Sequence, residues 1–448
     1  MTATVAPIAA LLLSVALLLM GNGLQGTLLP VRANIEAFTQ IDIGVMGSIY
    51  FFGFAIGCYF GPHLVRRVGH IRTFTAMVAI ASSVVLGHSM IIESVSWWVM
   101  RGMTGFCFAV LYLVIESWLN AKSTNENRGF VFSIYTIINL TVITVGQMLL
   151  IADSPRAFTL FALASVLVSL AAVPVALTTA PAPPPVATVK IRLLRLYKLS
   201  PVGVMGCLAV GLANGAFWSL APVFAQELLG GVENIAIFMS VVVIAGAVGQ
   251  WPLGWLSDKI DRRKVIMTGA AGAALAGAAL TILGPASPGF IKPLAFAFGF
   301  FALPIYALSV AHMNDFVDVD DYVEAAGGLL LVFAAGAVLG PIFASVVIEQ
   351  TGIMYLFLYT AVIHVLIGGF ALYRMFKRHP APDEEHVAFA DSLRVAQTVA
   401  NIEELSTATD THAAHGVSRD EQRHDGKKDG AEPVDGSKPP RPPAADTE

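Results

Sequence analysis

The chain has 448 residues, of which 56% are hydrophobic and 13% charged, where soluble domains carry roughly 45–50% apolar and about 25% charged residues. A net charge of −4 leaves no basic footprint for nucleic acid, and no soluble fold of this size could hide so much apolar surface. The composition predicts an all-α integral membrane protein. The charges are also uneven: the last 73 residues hold 24 of the 58, so a nearly uncharged body ends in a charged tail.

A membrane-crossing helix needs about 20 predominantly apolar residues. Polar, Gly and Pro punctuation divides the body into twelve such runs, at 6–29, 42–62, 72–92, 97–119, 129–151, 157–179, 201–226, 235–256, 265–284, 290–313, 324–348 and 352–375. Lipid offers no partner for an exposed backbone amide, so these runs are helices, and they are too long for barrel strands. The first run has no Lys or Arg ahead of it, unlike a cleaved leader, and is expected to be a retained span. Cys58, Cys107 and Cys207 all fall inside apolar runs, with no spacing for a disulfide or zinc site.

Basic residues set the expected orientation. With both termini cytoplasmic, the inner loops and the end of the last span hold sixteen Lys and Arg, against three outside: Arg32, Arg156 and Lys292. Trp97 and Trp98 then fall at an outer interfacial belt. The expected organisation is a six-helix bundle over 1–179, a Pro-rich then basic connector over 180–200, a second six-helix bundle over 201–375, and a cytoplasmic tail over 376–448. The connector reads as an ordinary linker, or as one whose basic end touches anionic lipid. The tail is too polar to fold alone and reads as disordered; its one alternative is a short amphipathic helix at Val387–Leu405.

The halves repeat. Asn22-Gly23 with Pro30 recurs as Asn214-Gly215 with Pro222 at an offset of 192, as do Gly57 with Gly249 and Arg72 with Lys264. At an offset of 194, Tyr112 matches Tyr306, Asn120 matches Asn314, and Gly146 matches Gly340. Duplication of a six-span unit points to secondary transporter architecture, with a substrate site between the halves.

The loop between spans 8 and 9 reads Gly254-Trp255-Leu256-Ser257-Asp258-Lys259-Ile260-Asp261-Arg262-Arg263-Lys264. Its counterpart between spans 2 and 3 runs from Gly61 to Arg72, keeping Gly69 and basic Arg66, Arg67 and Arg72, but with Arg66 where an acid is expected. Span 4 carries Arg101-Gly102-Met103-Thr104-Gly105. These segments resemble the loop signature G-x-L-a-D-R-x-G-R-R of the major facilitator superfamily, with Asp261 replacing the second glycine, and the R-x-x-q-G pattern of its proton-linked members, which makes Arg101 a proton-coupling candidate as well. Arg67 to Arg72, Glu116-Ser117-Trp118-Leu119-Asn120 and His312-Met313-Asn314-Asp315 further resemble its YcaD-like group. The resemblance covers residues 6–375. It implies a twelve-helix carrier that moves a small molecule through the bilayer by alternating access, coupled to protons and acting as a monomer.

The resemblance makes both loops gates. Asp258 is expected to cap a helix or pair with Arg across the bundle interface, while Gly57 and Gly249 allow close helix approach. Alternatively, the basic residues of the loops only set topology. It also implies that spans 1, 4, 7 and 10 line the cavity, which nominates Asn22, Gln25, Arg101, Tyr112, Asn214, Trp218, Tyr306 and Ser309.

Helical period puts Arg101, Thr104, Gly105, Phe108, Tyr112 and Glu116 within about 60° of one line. An Arg within a span faces a cavity or partner, or else snorkels to the interface. Glu116, about 22 Å further along, either handles protons or pairs with Arg66 or Arg67. Asn22 and Asn214 bond a ligand or a neighbouring helix, and Trp218 and Tyr306 contact a ligand or only pack. His312 is a proton relay or a hydrogen-bonded structural group. Gly340-Pro341 falls in span 11, while span 5, where antiporters of the superfamily carry a similar pair, has Gly146-Gln147. No GxxxxGK[ST], HExxH or GxSxG occurs, so no ATP-driven or enzymatic role and no cofactor is expected. The remaining rival is a transporter-like sensor that signals through its tail.

Overall fold

A computed structural model describes residues 8–123, 127–177, 192–318, 321–377 and 389. Most of the Pro-rich connector, the stretch after 377 and the possible helix at 387–405 lie outside the described residues, apart from Phe389. Among the described residues, twelve helices are long and apolar enough to cross a membrane. The first half consists of α1 (Ala9–Ile35), α2 (Gln40–Val68), α3 (His70–Met90), α4 (Ser94–Ala121), α5 (Phe130–Ala152) and α6 (Phe158–Ala176). The second consists of α7 (Pro201–Leu229), α8 (Val232–Ser257), α9 (Arg262–Leu283), α10 (Pro288–Asn314), α11 (Glu324–Thr351) and α12 (Ile353–Lys377). No strand occurs among the described residues. With an even number of spans in each half, the start of α1, the connector and the end of α12 share one face, here the terminal face; the opposite one is the far face.

Local chemistry sets several ends. Thr39 and Asp42 form a reciprocal capping box at the start of α2. Ser200 caps α7, whose first residue is Pro201. Asp261 caps α9 by accepting from the Arg263 N–H at 2.9 Å. That contact accounts for the departure in the loop signature. Gly69, in the first-half loop, has φ +87°, a conformation glycine alone adopts freely, whereas Asp261 has φ −47°.

The internal repeat is physical. A Cβ at Gly23 would sit 2.6 Å from the Ile143 carbonyl oxygen, and one at Gly215 would sit 2.6 Å from that of Ala337. Gly146 likewise packs on Met20 and Gly340 on Leu212. Each pair falls on its counterpart at the offsets of 192 and 194. The contacts α1–α5 and α7–α11 are therefore one design used twice: close backbone approach through glycine, as expected between helices in lipid.

Packing differs between the two faces. Toward the far face one core joins both halves, mixing Leu24, Leu28, Trp97 and Leu160 with Phe217, Phe224, Phe298 and Phe357. Toward the terminal face the cores are separate, around Phe74, Phe108 and Phe132 in the first half and around Val265, Ile305 and Leu308 in the second. Bonds between the halves at the far face include Asn34 Nδ2 to Gln226 Oε1 at 3.2 Å and the Gln40 N–H to Glu349 Oε2 at 3.0 Å. The halves are thus clamped together at the far face.

One expectation is corrected here. Trp97 is no interfacial anchor: it is fully buried, donates from Nε1 to Ile91 O at 2.7 Å and meets His88 edge-on. Trp98 is half-buried and donates to Asp42 O at 3.0 Å, tying α4 to the start of α2. Each indole N–H keeps a carbonyl partner as the ring turns inward: Ile91 at the end of α3 for Trp97, and Asp42 in the first turn of α2 for Trp98.

Candidate functional site

A cavity of about 200 Å³ opens where the halves meet. Its wall comes from α1 (Asn22, Thr27), α2 (Tyr50, Phe51), α4 (Arg101), α5 (Ile143, Gln147), α7 (Trp218, Ser219) and α8 (Met239). Thus α10 contributes nothing to it, against the expectation for spans 1, 4, 7 and 10, while α2, α5 and α8 do.

Among the described residues, Arg101 is its only charged lining residue. The side chain does not snorkel to the surface: it is 9% exposed, and its guanidinium stacks over the Tyr50 ring at 4.3 Å. Tyr50 in turn is hydrogen-bonded by the Asn22 side chain. Gly105, one turn along α4, packs on the Tyr50 backbone and brings α2 close enough for the stack. Among the described residues Arg101 makes no ion pair, and Nε and Nη1 have no hydrogen-bond partner. Holding such a charge away from water costs several kcal/mol unless something else compensates it. Gln147 Oε1 is also buried without a partner.

Of the eight nominated cavity residues, Asn22, Arg101 and Trp218 line this cavity. Gln25 is fully buried beside it, with neither amide atom bonded. Tyr112 packs between Phe54 and Phe108, nearer the terminal face. Asn214 is buried outside the lining. Tyr306 packs on Phe333, and Ser309 donates to Ile305 O at 2.7 Å, inside the second half.

Glu116 is buried on α4 and accepts from Tyr135 Oη of α5 at 3.4 Å. Arg66 and Arg67 are both exposed, and among the described residues no ion pair joins either to Glu116. His312 is buried against Phe316 and lies beside Arg263 and Arg374 at the terminal face, far from the cavity.

The two loops differ. Gly69, Arg66, Arg67 and Arg72 are exposed. In the second loop Arg262 is buried, donating to Asp315 Oδ2 at 2.7 Å, to Ser257 Oγ at 2.9 Å and to Asp258 Oδ1 at 3.3 Å. Asp258 therefore pairs within its own half rather than across the interface. It also accepts the Phe389 N–H at 2.8 Å, and the Phe389 ring covers Gly254. Burial would raise the Asp261 carboxyl, but the side-chain and backbone bonds from Arg263 outweigh it and hold it below the usual range.

The profile described as the Major Facilitator Superfamily matches residues 11–291 and 203–409. The chain belongs to the major facilitator superfamily. Among curated members, it is 26% identical over 357 residues to an uncharacterized MFS-type transporter, YcaD, of Escherichia fergusonii, covering 79% of this chain and 92% of that one. It is 25% identical over 357 residues to the same-named protein of Salmonella arizonae, with the same coverage. Among solved structures, the nucleoside transporter NupG has TM-score 0.70 at 14% identity, covering 83% of this chain and 99% of that one. A bacterial homolog of the human lysosomal transporter Spinster, inward-facing and occupied, has TM-score 0.69 at 15% identity over 85% and 97%. At these identities the structures establish the fold alone.

Membership in the superfamily makes this chain a multi-pass membrane transporter. Sequence reasoning passed over Tyr50, Ser219 and Asp315. Tyr50 sits in an aromatic run that reads as lipid-facing, and its role needs Arg101 from another helix. Gln147 was visible as an amide inside a span. Asp315 was visible only as part of a group pattern; an acid at the end of a span is otherwise read as loop.

Proposed function

We propose that this chain is a secondary active transporter of the inner (plasma) membrane, working as a monomer. It moves a small molecule by alternating access, driven by a proton gradient. Both termini and the connector face the cytoplasm, by the sixteen-to-three division of basic residues. The observation that carries this reading is the cavity at the junction of two halves that share a core only toward the far face. In this orientation the far face is external, and the conformation is inward-facing. Rocking the halves about the cavity would open the far face and close the terminal one.

Glu116 is the proposed coupling group: a buried carboxylate on the same helix as Arg101, bonded to Tyr135 across to α5. The fold is shared with FucP, described as a fucose:proton symporter, at TM-score 0.52 and 17% identity. Purified protein in liposomes, with and without an imposed pH gradient, tests the reading. Gradient-driven accumulation of a solute supports it; no flux of any solute under any gradient overturns it. Thiol labelling of a cysteine placed at Lys259 or Arg374 reports orientation, and labelling from outside the cell would reverse the assignment.

A further inference from the structure

We propose that the cavity selects a small organic monoanion, whose carboxylate pairs with Arg101. The inference rests on the transporter reading for its biological sense, but not for its chemistry.

Among the described residues, Arg101 is the sole charge that the six helices contribute to the cavity wall, no acidic partner meets it, and two of its guanidinium nitrogens bond nothing. Stacking on Tyr50 occupies one face of the planar group, and Asn22 steadies Tyr50 from α1. Its in-plane N–H edge is the part left to bond, and that edge matches a planar carboxylate. A buried positive charge held in one orientation with no counter-charge is a costly arrangement for a fold to keep. A ligand that brings the counter-charge resolves it.

The rest of the wall narrows the class. One guanidinium balances one negative charge, so a monocarboxylate fits better than a phosphate dianion. Phe51, Trp218, Ile143 and Met239 provide an apolar and aromatic surface for a compact hydrocarbon part. Gln147 Oε1, buried and unpartnered, asks for a donor, such as a hydroxyl or amine. A cavity of about 200 Å³ has room for a compact ligand of this kind.

The test uses the purified full chain in detergent and reads thermal unfolding. The probes are lactate, phenyllactate and benzoate, each paired with its primary amide, together with inorganic phosphate. The expected result is a rise in Tm with carboxylates, largest with phenyllactate, and none with the amides or phosphate. Arg101→Gln should weaken carboxylate binding at least tenfold. Without ligand, Arg101→Gln should melt at the same temperature as the parent or higher, since an uncompensated buried charge has gone. A lower Tm would make Arg101 a structural residue and overturn the proposal. Should Arg101→Gln not fold, the probe series on the parent protein decides the proposal by itself. Amides stabilising as well as acids, phosphate stabilising better than both, or no response to any carboxylate would each overturn it. Flux measured with the same solutes separates the two readings. Carboxylate binding without gradient-driven flux removes the transporter reading and leaves the site; flux of neutral solutes alone removes the anion class and leaves the transporter.

Discussion

Arg262 donates from Nε to Asp315 Oδ2 at 2.7 Å, and both side chains are almost wholly buried. The pair ties the loop after α8 to the end of α10, with Ser257 and Asp258 bonding the same guanidinium. Removing Asp315 still leaves the Arg262 guanidinium bonded to Asp258 and Ser257, so the cost should fall below the about 3–5 kcal/mol of a fully uncompensated buried charge. Asp315→Ala should therefore lower thermal stability measurably. The double variant Arg262→Met with Asp315→Leu should recover most of that loss. A single variant as stable as the parent would show that the pair contributes little.

Glu116 is expected to couple proton movement to transport. Glu116→Gln should abolish gradient-driven accumulation while substrate exchange without a gradient persists. Because Arg66 and Arg67 are exposed while Glu116 is buried, exchanging charges between Glu116 and either arginine should not restore function. Normal gradient-driven flux in Glu116→Gln would remove it from the coupling mechanism.

The connector is held to the second half through acid–base contacts. Arg195 bonds Asp321, and Arg192 and Arg195 both bond Glu324 at the start of α11. The Arg195 hydrogen bond beside Asp321 holds its carboxyl below the usual range. A carboxyl lowered in the folded state adds stability that is fully present above its unfolded pKa, about 3.9, and is lost as pH falls through the folded value. The contact should hold at neutral pH and loosen only in acid, below about pH 4. Hydrogen exchange over 193–199, corrected for its intrinsic pH dependence, should rise there, and Asp321→Asn should show the rise at neutral pH.

Phe389 covers Gly254 and donates its N–H to Asp258. A chain ended after residue 400 should therefore protect residues 254–260 from hydrogen exchange as the full chain does. A chain ended after 380, or Phe389→Ala, should exchange faster there while keeping its fold, because the twelve helices pack without it. Equal exchange in all four proteins would show that the contact has no hold on the loop.

The sequence by itself determined the membrane class, the twelve helices and their paired halves. Those properties are written in local composition: a span is a run of apolar residues, and a duplicated unit keeps glycine wherever backbones must touch. Gly23 with Gly215 and Gly146 with Gly340 were legible for that reason, as was Arg101, since charge inside a span is conspicuous. Tertiary structure decided what those residues meet. Tyr50 reaches Arg101 only because Gly105 lets α2 and α4 close together. Arg262 found Asp315, 53 positions away, rather than a partner across the interface. Trp97 turned inward to a carbonyl, and α10 was displaced from the cavity wall by α2, α5 and α8. Pattern along a chain fixes which face of a helix is apolar; which helix comes to lie against that face depends on packing among elements distant in sequence, and no local period records it.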